Sequence, residues 1–91
     1  MKKSDEIKKS IGDLLELPQD LMLDLPKITM IGNLQIYIEN HKGILEYSTT
    51  RVRIFTKCGV LRIIGKDLLL RRIVREEIVL VGEIVQVEYA D

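Results

Sequence analysis

The chain contains a single histidine, His41, and a single cysteine, Cys58. A zinc site takes about four nitrogen, sulfur or oxygen ligands at recognisable spacing, and two isolated residues offer no such pattern. His41 follows Asn40 in "NHKG" and reads as a turn residue, solvated or capping a backbone group. Cys58 precedes Gly59 and reads as a small strand-end residue, with no evident partner to activate its thiolate. Glycines at 32, 43, 59, 65 and 82 stand singly. None of them builds the G-x-G-x-x-G loop that cradles a phosphate. Acids and bases are plentiful, but no nucleophile, base and orienting group fall together. The reading is therefore a protein that is not an enzyme, with no cofactor and no metal.

What remains is charge. The formal net charge is zero, from 14 basic and 14 acidic residues. The signs are segregated along the chain. Residues 51–75 carry Arg51, Arg53, Lys57, Arg62, Lys66, Arg71, Arg72 and Arg75 against one acid, Asp67. Residues 76–91 carry Glu76, Glu77, Glu83, Glu88 and Asp91 and no basic residue. Neighbouring strands of opposite sign can pair across a sheet. A basic face kept free for a partner is the sharper alternative. Single-strand nucleic-acid binders add stacking aromatics to a basic groove. Here only Phe55 falls on the basic alternation, and the neutral balance speaks against nucleic acid as the partner. The candidate interaction residues are Ile7, Ile11, Leu14, Arg51, Arg53, Phe55, Arg62, Arg71 and Arg72.

Three kinds of element must position them. Residues 1–17 form an amphipathic helix on this reading. Ser4 caps it, Asp5 and Glu6 suit its first turn, and Ile7, Ile11, Leu14 and Leu15 share one face. Residues 18–27, bracketed by Pro18 and Pro26, are too apolar for a flexible linker and read as a packed connector. From residue 28 to 91 the apolar period becomes two, the period of strands.

Alternation places Leu34, Ile36, Ile38, Leu45, Val52, Ile54, Leu61, Ile63, Val85 and Val87 inward. The stretch "VLRIIGKDLLLRRIV" (60–74) could be a basic amphipathic helix. A central glycine and several β-branched residues argue instead for two strands around a turn at "GKD". The fold expectation is mainly β: a small curled antiparallel meander or roll of six to eight short strands with one N-terminal α-helix. A short β-solenoid is the alternative. No apolar run approaches the roughly 20 residues that span a bilayer, so no direct membrane insertion is expected. The N-terminus lacks the apolar core of a signal peptide, so the expected location is cytoplasmic.

The segments "LPQDLMLDLP", "ITMIGN", "IENHKGILEYS", "VRIFTKCGVLRIIGKDLLL" and "EIVLVGEIVQVEY" together resemble the YabP/YqfC family of sporulation proteins, in its YqfC branch. The most specific pieces are "ENHKGILEYS" and the T-x-x-G-x-L-x-I-x-G-x-x-L run at Thr56–Leu68. The resemblance implies a protein of endospore-forming bacteria acting on the mother-cell side, peripheral to the forespore membrane. It brings no catalytic residue, and it implies a membrane-anchored sporulation protein as partner.

Two functions follow as expectations. One is an assembly or adaptor module that works through protein–protein contact and self-associates. The other is a small-ligand or nucleic-acid binding module, using the roll's mouth near Tyr37, His41 and Tyr47 or the basic 51–75 face.

Overall fold

The computed structural model describes residues 24–90. The expected helix over 1–17, with Ile7, Ile11 and Leu14, and the connector up to residue 23 lie outside them. The described part is six strands in one antiparallel sheet: β1 (Lys27–Ile31), β2 (Gln35–Glu39), β3 (Gly43–Tyr47), β4 (Arg51–Thr56), β5 (Gly59–Val74) and β6 (Glu77–Ala90). Their order is β1-β2-β6-β5-β4-β3.

That order forces the sheet to curl. Glu39 pairs with Glu77 at the start of β6, whereas Gly43 pairs with Phe55 of β4, which lines up through Val60 with Ala90 at the end of β6. A straight β6 would hold its two ends about 43 Å apart. The Asn40–Lys42 link between β2 and β3 spans at most about 14 Å. The β5–β6 ribbon must therefore fold back on itself. Adjacent link residues then bond to different parts of the sheet: the His41 N–H donates to Glu76 O in the β5–β6 turn (3.2 Å) and the Lys42 N–H to Phe55 O on β4 (2.6 Å).

The ribbon bends where Gly65 and Gly82 cross. A Cβ at Gly82, whose φ is +142°, would lie 2.8 Å from Asp67 O and 3.0 Å from Leu68 Cα. At Gly65 it would collide with the carbonyl of Glu83. Bulges at Ile64/Gly65, Lys66/Leu69 and Leu70/Arg72 supply the local twist. The result is two half-sheets: β3, β4, the first half of β5 and the second half of β6, folded against β1, β2 and the remaining halves. The core lies between them, with Ile36, Ile38, Ile78 and Leu80 from one side and Val52, Ile54, Leu61 and Ile63 from the other. Leu68 and Ile84 fill the corner.

The mainly β, curled antiparallel expectation holds, with two corrections. The stretch 60–74 is one bent strand, and "GKD" is a bulge rather than a turn. Leu34, Leu45 and Val85 point outward, at 64, 52 and 63 % exposure. Leu34 belongs to the β1–β2 turn. Leu45 and Val85 are the extra residues of bulges, which reverse the in–out parity beyond them. Of the two readings of His41, the capping one holds: the ring is buried and accepts from the Gly43 N–H.

Candidate interaction surface

Each half-sheet has an outer face, and the two differ in chemistry. On the first, the register sets Glu46, Arg53, Arg62 and Glu88 in one row across four strands. Arg53 lies 3.6 Å from Glu46 and Arg51 3.0 Å from it, while Arg62 bonds Glu88. Arg51, followed by Arg53, holds the Glu46 carboxyl below the ordinary carboxylate range. Phe55 stands half-exposed beside this row, between Gly43 and Val60. This face is closed electrostatically by its own chain.

The other outer face is built by β1, β2, the start of β6 and the end of β5. Its rows read Ile31–Gln35–Val81–Leu69 and Thr29–Tyr37–Val79–Arg72. Ile31 and Leu69 are exposed, at 61 and 51 %. Gln35, Arg71, Arg72, Val79 and Val81 line a shallow groove of about 360 Å³. Among the described residues, Arg71 and Arg72 make no ion pair. The groove thus has an apolar floor and a cationic rim, which suits a partner that is apolar and acidic.

The nine candidate residues therefore do not form one patch. Three lie outside the described residues. Arg51, Arg53, Arg62 and Phe55 share the closed face, and Arg71 and Arg72 border the open one. Sequence reading missed Ile31, Leu69, Val79 and Val81. The signal was present in "IVLV" (78–81), which is apolar at both parities and so carries apolar residues to both faces of its strand.

The residues proposed for a ligand mouth are each engaged by the chain itself. The Tyr37 hydroxyl donates to Glu77 Oε1 at 2.7 Å, which raises its pKa above the ordinary phenol value. His41 Nδ1 accepts from the Gly43 N–H at 3.0 Å. The Tyr47 hydroxyl donates to Leu68 O at 3.2 Å and accepts from the Leu70 N–H at 3.3 Å. Among the described residues no cluster of three or more His, Cys, Asp or Glu could hold a metal ion, and no helix is long and apolar enough to cross a membrane.

A family model described as the YabP family matches residues 24–91. In addition, the chain is 44 % identical over 89 residues to a protein of Bacillus subtilis (strain 168) named "Uncharacterized protein YqfC". That alignment takes in 98 % of this chain and 96 % of the relative. No solved structure matches.

Proposed function

This chain belongs to the YabP family, and from that premise we propose that it is a non-catalytic assembly or adaptor module of sporulation. It works through protein–protein contact on the mother-cell side of the developing spore, beside a membrane-anchored sporulation protein, and it self-associates. The observation that carries this reading is the contrast between the two outer faces. One neutralises its arginines within the chain, whereas the other exposes Ile31 and Leu69 beside Arg71 and Arg72. The outer face of a two-layered β fold is ordinarily polar. A contiguous apolar face rimmed by polar groups marks a contact surface.

Sedimentation velocity of the full chain, across concentration and salt, tests the association. The expected result is growth to a dimer or larger species with concentration. The part carried by Arg71 and Arg72 should weaken as salt rises, because screening acts over about 8–10 Å at physiological ionic strength. Leu69→Asp should shift the equilibrium to monomer. A strict monomer at high micromolar concentration in low salt would refute self-association. Cross-linking in sporulating cells tests the membrane-anchored partner separately, and its absence among the captured proteins would count against that part.

A further inference from the structure

Among the described residues, the far end of β5 is paired on one side only. On the side away from β6, the strand is matched by β4 from Gly59 to Ile64. Beyond that, the Gly65 and Leu68 N–H groups donate to Thr50 O and Thr49 O at 3.0 and 2.8 Å. The Tyr47 hydroxyl then bridges Leu68 O and the Leu70 N–H, standing in for one more residue of a neighbouring strand. From Arg71 to Val74, among the described residues, no strand lies on that side. Ile73 and Val74 are exposed there, at 56 and 42 %. Arg71, Arg72 and Arg75 surround them, and none makes an ion pair among the described residues.

Resting on the contact-module reading above, we propose that the Arg71–Val74 edge accepts an extended acidic segment of another protein as an added strand. The backbone would supply main-chain hydrogen bonds, the chemistry of strand addition to an exposed edge. The arginines would choose carboxylates, and Ile73 and Val74 would choose alternating apolar side chains. A second copy of the same edge does not fit. Antiparallel self-pairing over these residues would set Arg71 against Val74 and Arg72 against Ile73 of the other copy, so no carboxylate would meet the arginines and four guanidinium groups would gather on one short ribbon. The bulge at Arg71 and the flanking charges are also the devices by which proteins keep edges from pairing with themselves. The edge strands β1 (KITMI) and β3 (GILEY) offer one carboxylate between them, so neither sheet edge of a second copy supplies an acidic strand.

The probe is a fluorescein-labelled peptide alternating Glu and Val over about eight residues, a typical strand length. Fluorescence anisotropy with the full chain should show saturable binding that weakens as salt rises. A Lys–Val peptide should not bind. An N-methylated Glu–Val peptide, which keeps its charge but loses donors, should bind at least about tenfold more weakly, as expected if main-chain bonds carry the affinity. Amide hydrogen exchange should show new protection at Arg71–Val74. The double substitution R71E/R72E should abolish binding while leaving the circular dichroism spectrum unchanged. If that variant misfolds, Ile73→Asp gives the same readout.

Equal binding of the N-methylated peptide, equal binding of an oligo-dT probe, or protection confined to another strand would show a bare cationic patch and overturn the proposal. Sedimentation is read independently. Loss of peptide binding with association intact defeats this inference alone, whereas a strict monomer that still binds the peptide defeats the self-association reading alone.

Discussion

His41 is buried in the β2–β3 link, with Nδ1 accepting from the Gly43 N–H and Nε2 without a partner among the described residues. Burial pushes its pKa below the ordinary 6.5, although Glu76 pulls the other way. A protonated ring would also have to give up the Gly43 bond. The depressed value means the unfolded chain binds the proton more readily, so stability should fall as pH drops below about 6.5. Urea unfolding between pH 7.5 and 5 checks this, and the slope should vanish in His41→Phe. Ile54 and Leu45 separate core from surface. Ile54→Ala should cost about 2–4 kcal/mol, because the side chain is fully buried. Leu45→Ala should cost under about 0.5 kcal/mol, as surface changes do. Alternation located Ile36, Ile38, Val52, Ile54, Leu61 and Ile63 correctly. It failed at Leu45 and Val85, because a bulge adds one residue to a strand and leaves no mark in the composition.

The elements most exposed to a single change are the two bent strands. Gly59, Gly65 and Gly82 read in sequence as punctuation between short strands. The latter two instead let one long ribbon cross itself. A glycine that ends a strand and one that lets another backbone approach closely look alike in sequence. Gly82→Ala should destabilise by about 2–4 kcal/mol, since it combines a positive φ with backbone atoms at 2.8–3.0 Å. Ala at Gly43, where φ is also positive but nothing lies within 4 Å, should cost less. Thermal unfolding of the two variants side by side checks the comparison. The charge ladder is a smaller effect. A double-mutant cycle on Arg62 and Glu88, each roughly one-third exposed, should give a coupling of about 0.2–1 kcal/mol.

At the scale of the molecule, the mainly β curled architecture was legible, because period-two patterning survives from Gln35 to Tyr89. The strand order was not. It is set by a pairing between β2 and β6, some forty residues apart in sequence, which neither propensity nor turn chemistry encodes. The segregation of charge was equally visible, yet it could not reveal that Glu46 and Glu88 neutralise one outer face and leave Arg71 and Arg72 at the border of the other. The same β2–β6 pairing governs how the protein can be made. Of the six strands, β6 is translated last, so the β1–β2 hairpin leaves the ribosome with no strand to receive it. At about 5–20 residues per second, the stretch from Asn40 to Glu77 takes roughly 2–8 s to synthesise. During that interval Ile36 and Ile38 are uncovered and one side of β2 is open. On a polysome the leading chain completes its β6 first and can take up the open hairpin of the chain behind it, so crowding during synthesis favours intertwined products.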